Sequence, residues 1–194
     1  MFIAEKGLDI PTQVVNLGEK EQFSDAYKKI NPRLQVPALA LDDGRSITEV
    51  LAIWRYLEEV YPNQPLLGVD AADKATVTMW ERRVELDGFQ PTMEGVRNAV
   101  AGLKGRALSG PHAYEQIPAI VDRSKLRVAN FFADIDARLS EAPFVAGSAF
   151  SAADITLLAT IDFAKGGLSM PIPESAKALQ RWYDTVSARA SAKA

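Results

Sequence analysis

Two short runs of this chain carry residue types that could grip a peptide-like ligand. The first is Gln35-Val36-Pro37-Ala38-Leu39, preceded by Asn31-Pro32. Proline has no backbone N–H, so a strand opening on Val-Pro gives up a ladder donor at its start. With a cis Val36–Pro37 bond, the Val36 N–H and C=O would stay unpaired and face the backbone of a ligand. On these residues alone, the plainer reading is a trans proline at a strand's first position. The second run is Ser46-Ile47-Thr48-Glu49-Val50, where a helix begins. The first N–H groups of a helix have no intrahelical partner. The Val50 amide could therefore hold a ligand carboxylate while Glu49 meets an ammonium group. A carboxylate at this place also complements the helix dipole, which by itself would account for Glu49.

Other chemistry-bearing residues read as structural. Ser151-Ala152-Ala153-Asp154 is a capping box with Asp in the place of Glu. An N3 carboxylate bonding the N-cap backbone explains Asp154 without catalysis. His112 is the sole histidine. It lies in a Gly/Pro-containing loop with no nucleophile near it in sequence, and reads as solvated. Met79, Trp80 and Met93 stand at helical spacing and read as core rather than pocket.

Composition removes several classes. Lys+Arg 22 against Asp+Glu 25 leaves a net charge of -3, too acidic for a phosphate-tracking surface, so no nucleic-acid partner is expected. With no cysteine and one histidine, zinc fingers, cysteine nucleophiles and His-cluster metal sites are excluded, and no metal is expected. No apolar run nears the roughly 18 residues that span a bilayer, and no secretory leader opens the chain. The expected address is cytoplasmic.

The elements that must position these runs change character along the chain. Residues 1–61 read as α-β-α-β-β-α. Met1 to Gly7 is the end of a helix stopped by glycine, and Thr12–Leu17 is a β-branched strand. Glu21–Ile30 is a helix ended before Pro32. Val36–Leu41 and Arg45–Ile47 form a hairpin around Asp43-Gly44. Thr48 caps a helix from Glu49 to about Tyr61, with Leu51, Ala52, Tyr56 and Leu57 as its apolar stripe. Residues 62–72, with Pro62, Pro65 and Gly68, form a linker. Residues 73–194 are helical: Asp73 to about Val100 with a kink at Pro91, Gln116–Leu139, Ser151 to about Ala164, and Glu174–Arg189.

In this order the pieces resemble the cytosolic glutathione transferases, bacterial and beta-like members among them. The resemblance rests on Asn31-Pro32-x-x-Gln35-Val36-Pro37-x-Leu39, on Thr48-Glu49-x-x-Ala52-Ile53-x-x-Tyr56-Leu57, and on Phe150-Ser151-x-Ala153-Asp154-Ile155. Trp80-Glu81-Arg82-Arg83 and Gly88-Phe89-x-Pro91 add to it. It implies an α/β thioredoxin-like N-terminal domain joined to an all-α C-terminal domain, with glutathione as cosubstrate and a small hydrophobic electrophile as its partner. It also implies a homodimer, paired through the helices from Asp73 and Gln116 with Arg82 or Arg83 facing the cleft. Carried over residue by residue, Val36 pairs its backbone with the cysteinyl part of glutathione ahead of a cis Pro37. Glu49 and the Val50 amide hold the γ-glutamyl end, and Gln35 lies within reach of the peptide. The electrophile pocket would lie between the domains, lined by the Trp80–Arg97 helix.

Three departures stand out. Val50 replaces the serine of the common Glu-Ser pair and removes one hydroxyl contact, a loss of about 1 kcal/mol. Leu34 stands where glycine is usual. The family's first strand and the catalytic Ser, Tyr or Cys loop after it have no counterpart in the sequence, so the thioredoxin-like domain is incomplete and no catalytic residue is assigned. Strands sit about 4.8 Å apart, so omitting a central one leaves a gap that no backbone hydrogen bond spans. The expectation is that Met1 is an internal methionine and that the nucleophile-activating residue lies upstream. The alternative is a non-catalytic glutathione-transferase-like binding or interaction module.

Overall fold

The computed structural model describes residues 1–194. The N-terminal region begins with α1 (Phe2–Glu5), which stops at Gly7, whose φ is +63°. A 3-10 turn over Glu21–Phe23 leads into α2 (Asp25–Ile30), where the Ser24 hydroxyl caps the helix by accepting from the Tyr27 N–H. Strands β1 (Ala38–Ala40) and β2 (Ser46–Thr48) pair antiparallel with Ala38 opposite Thr48. Gly44, at φ +85°, makes the turn between them as the Asp-Gly signal predicts. Helix α3 (Val50–Val60) follows directly.

Two expectations fail here. Thr12–Leu17 is not a strand, because the sheet has two strands and neither pairs with it. Val14 is 87% exposed. β-branched residues favour a strand only where a pleated, half-buried surface receives them, and here nothing lies alongside. Thr48 is not the cap of α3 either: it stays in β2, and Glu49 takes the N-cap position with φ 70° and ψ 126°. The buried stripe of α3 is accordingly Ile53, Leu57 and Glu58, with Ala52 outside.

The connection to the helical region is ordered by an ion pair. The Lys6 ammonium, whose side chain is fully buried, donates to Glu58 at 2.7 Å and to the Asn63 carbonyl at 3.0 Å. The other Glu58 oxygen accepts from the Leu66 and Leu67 amides at 2.8 and 2.9 Å. Helix α4 (Ala71–Arg83) then begins under an Asp70 cap, slightly ahead of the expected start.

The predicted long helix is interrupted rather than simply kinked. Between α4 and α5 (Gln90–Ala99) lies one wide π-turn segment, Val84–Phe89. Pro91 has no N–H, so the helix must rearrange over the preceding turn. Substitute donors serve this turn: the Thr92 hydroxyl donates to the Gly88 carbonyl at 2.8 Å, and Arg127 donates to the Leu86 carbonyl at 2.8 Å. Gly88 is required, since a Cβ there would stand 2.5 Å from the Phe131 ring.

Helices α6 (Pro118–Glu141), α7 (Ala152–Leu168) and α8 (Lys177–Ser187) complete the fold. With Val84, Val96 and residues of the connecting segments, their facing sides form a core of 19 buried residues, including Val128, Phe132, Leu157, Ile161, Leu179 and Trp182. A smaller cluster of seven joins the two regions, bringing Phe2, Ile53 and Leu57 against Val77, Ala152 and Ile155. The architecture is a small thioredoxin-like region packed on an all-α region.

Candidate functional site

The hairpin brings the two ligand-gripping runs together. Ala38 is paired with Thr48, so Val36–Pro37, just before β1, and Glu49–Val50, just after β2, leave the same end of the ribbon. The Val36–Pro37 bond is cis, as the resemblance implied and against the plainer reading of the residues alone. Val36 is 41% exposed, and neither its N–H nor its C=O is hydrogen-bonded within the chain.

On the other side of the ribbon end, α3 offers its open N-terminus. The Ile53 N–H is taken by the Glu49 carbonyl at 3.0 Å. The amides of Val50, Leu51 and Ala52 precede it and are unpaired, as the first N–H groups of a helix must be. No side chain caps them. Glu49 and Val50 are exposed. The backbone of Glu49, with φ 70° and ψ 126°, sits where non-glycine residues are rarely found, at a cost of about 1–3 kcal/mol. Strain of this kind persists where the surroundings over-determine it, and it concentrates at ligand clamps. Leu34, at φ +58°, is a second such residue, and its conformation explains why glycine is usual there.

An unpaired Val–cis-Pro backbone beside a bare helix start suits a peptide-like ligand, and comparison with known proteins decides the family. The chain belongs to the glutathione S-transferase family. The family model for the glutathione S-transferase N-terminal domain matches residues 1–60, and that for the C-terminal domain matches residues 118–185. Glutathione S-transferase 2 of Saccharomyces cerevisiae is 32% identical over 209 residues, covering 98% of this chain and 80% of that protein. Among solved structures, Gtt2 from Saccharomyces cerevisiae superposes with a TM-score of 0.88 at 29% identity, covering 99% of this chain and 90% of the other. The Gtt2-class glutathione S-transferase of Vibrio parahaemolyticus gives 0.82 at 34% identity, covering 98% and 86%.

Within this transferase fold, Gln35 is placed differently from the expectation. Its side chain does not point free toward a ligand: its Nε2 donates to the Ser109 hydroxyl at 2.7 Å. Its carbonyl accepts from the Tyr27 hydroxyl at 2.7 Å and from Asn31 Nδ2 at 2.6 Å. Burial pushes the Tyr27 phenol above its ordinary value, which keeps it a donor. The sequence reading missed Ser109. A serine between Leu108 and Gly110 carries no local signal, and only the fold brings it 74 positions back to Gln35.

Trp80, Arg83 and Asp87 line a cavity of about 260 Å³ inside the helical region, whose far wall is Phe131, Asp134 and Ile135 of α6. Trp80 is held between the guanidinium groups of Arg83 and Arg138, at 4.9 and 4.8 Å. Met79 is exposed rather than core. The Arg97 end of this helix is the one that turns toward the N-terminal region, through the loop that carries Ser109.

Asp154 is structural, as its motif predicts. One of its oxygens accepts from the Val145 amide and from Trp182 Nε1, at 3.0 and 2.9 Å. The other accepts from the Ser151 amide and hydroxyl, at 2.9 and 3.2 Å. Burial raises its pKa, opposed by these donors. His112 is exposed. No group of acidic or histidine side chains is placed to hold a metal ion, and no helix is long and apolar enough to cross a membrane.

Proposed function

We propose that this family member adds the thiolate of glutathione to a small hydrophobic electrophile. In this reading residues 1–61 are the glutathione-binding domain, 62–72 the linker and 73–194 the helical domain. The Val36 N–H and C=O pair with the cysteinyl residue as a short strand would, ahead of Pro37. The γ-glutamyl carboxylate takes the open N-terminus of α3 through the Val50 amide, where the helix dipole favours an anion. The Glu49 carboxylate takes its ammonium, and Gln35 acts through the backbone it carries. The observation that supports this most is the hairpin register, which sets a backbone docking edge beside a bare helix start.

The chemistry requires a thiolate, because the thiol itself is a poor nucleophile. Lowering the pKa of bound glutathione therefore falls to a hydroxyl or thiol aimed at its sulfur. None of Gln35, Val36, Pro37, Glu49 and Val50 supplies such a group, and the role is not assigned to them. The protein acts in the cytoplasm and pairs with a second copy of itself.

The test is conjugation of a chromogenic dinitrohalobenzene by two proteins: the 194-residue chain, and a version carrying the residues encoded immediately before Met1. Turnover by either protein supports the transferase reading. Calorimetric titration with glutathione should show binding by both, weakened about tenfold by Glu49→Gln, the scale of one charge-assisted hydrogen bond. Turnover in neither, with binding retained, would make the chain a holding module. Absence of glutathione binding in both would end the reading.

A further inference from the structure

The loop from Lys104 to Gln116 leaves the helical region and returns to it, yet it is anchored at its root like a structural element. Arg97 Nη2 donates to the Arg106 and Leu108 carbonyls at 2.8 and 3.0 Å. Gln116 Nε2 donates to the Arg97 and Val100 carbonyls, both at 2.8 Å. Within the loop, the Ala107 N–H bonds the Tyr114 carbonyl at 3.0 Å and the Tyr114 N–H bonds the Gly105 carbonyl at 2.9 Å. A segment rich in glycine and proline is thereby given a fixed shape.

Its outer side lies on the N-terminal region at three places. The Arg106 guanidinium covers the Phe23 ring at 4.6 Å. Gly110, at φ +115°, lies beside the Arg33 carbonyl, where a Cβ would stand in ordinary contact at 3.8 Å. Between them, the Ser109 hydroxyl receives the Gln35 side-chain amide at 2.7 Å.

From these contacts we infer that Ser109 is a positioning residue for glutathione, acting through Gln35 on the Val36 amide. The Gln35 carbonyl and the Val36 N–H belong to one planar peptide unit. Fixing the direction of the carbonyl therefore fixes the direction of the N–H, which points the opposite way. Tyr27 and Asn31 hold that carbonyl from α2. Ser109 holds the same residue by its side chain from the helical region. The docking edge is thus set before ligand arrives, and less ordering is left to be done on binding. The helical region thereby gains a direct mechanical connection to the edge that receives glutathione.

The inference rests on the Val36 reading above, so the experiment separates the two. Ser109→Ala, Ser109→Thr and the parent chain are titrated with glutathione, their melting temperatures are recorded, and backbone hydrogen exchange is followed on the free proteins. The alanine variant should bind glutathione about fivefold more weakly, the scale of one hydrogen bond. Its melting temperature should not change, and the threonine variant should recover the parent affinity. In the free protein, Ser109→Ala should speed exchange at the hydrogen-bonded Ala107 and Tyr114 amides of the loop. In the form that turns over, the change should fall on the KM for glutathione with kcat unaltered. Unchanged affinity and exchange in Ser109→Ala would overturn the inference while leaving the transferase reading in place. So would a loss that follows melting temperature and is not recovered by threonine. If the parent binds no glutathione, the transferase reading fails first, and faster exchange in the loop alone would not rescue this one.

Discussion

The two regions of this molecule are stabilised in different ways. The helical region has its own interior: 19 buried residues close on one another from the π-turn segment at Val84 to α8. The N-terminal region has no comparable centre. Its buried apolar side chains Phe2, Ile53 and Leu57 complete a cluster only with Val77, Ala152 and Ile155 of the helical region, and its sheet has two short strands. Two-stranded ribbons are marginal alone and need a packed partner. The region that carries the ligand-gripping backbone is therefore held in shape largely by the region that does not. Exposed, strained residues such as Glu49 can be maintained there because the neighbouring helices supply the stability.

The largest effect expected from breaking this arrangement is at Asp154. Asp154→Ala leaves the Val145 and Ser151 amides and the Trp182 indole without their buried acceptor. A loss of about 3–5 kcal/mol is expected, because each stranded donor carries its own desolvation cost. Urea unfolding should show both regions melting together, since the joint cluster draws on α7. Separate transitions would show that the N-terminal region is more independent than its core suggests.

Lys6→Met comes next. It strands Glu58, which then keeps only its two amide donors, and a cost of about 3 kcal/mol is expected from leaving a buried charge without its partner. Hydrogen exchange should rise across α1, α3 and the 62–70 connection while α6 and α7 keep their protection. Equal loss in all helices would contradict the asymmetry.

A gentler separation uses pH. Glu5 of α1 accepts from Arg189 at 2.7 and 2.6 Å, with Ser191 beside it. The hydrogen bonds from Arg189 hold its carboxyl below the ordinary value of 4.5. A group lowered in the folded state contributes stability that is present above its unfolded pKa and is lost as pH falls through the folded one. Stability should therefore drop on the acid side of pH 4.5, and Arg189→Gln should flatten that limb. Glu81 works in the opposite sense. Burial, and then Glu85, raise its pKa, so its contribution is full below the ordinary value and is lost as pH rises through the raised one. Glu81→Gln should remove that decline and slightly stabilise the protein at neutral pH, read from thermal melts across pH.

The smallest effect belongs to the segment that looked most like a strand. Val14→Asn should change stability by less than about 0.5 kcal/mol, the usual range for a surface site, because Val14 is 87% exposed. A larger cost would mean that residues 12–17 are paired after all.

Much of this molecule was legible in its sequence, for a physical reason in each case. The capping box at Ser151 and Asp154, the glycine after α1, the Asp-Gly hairpin turn and the apolar spacing of α6 and α8 are local signals. The energetics that produce them act within a few residues. The family was legible too, because three such motifs stand in order along the chain. Other features were decided only by tertiary structure. Thr12–Leu17 has strand composition, but a strand exists only where a neighbour accepts its N–H and C=O groups. Pro91 announces an irregular helix, but whether that is a bend or a wide π-turn depends on Arg127 arriving from α6. The cis state of Val36–Pro37, the left-handed backbone of Leu34 and the φ of Glu49 are set by their surroundings rather than by their own side chains. The same holds for Ser109, whose contact with Gln35 spans 74 residues. Local sequence specified the gripping residues, and long-range packing aims them.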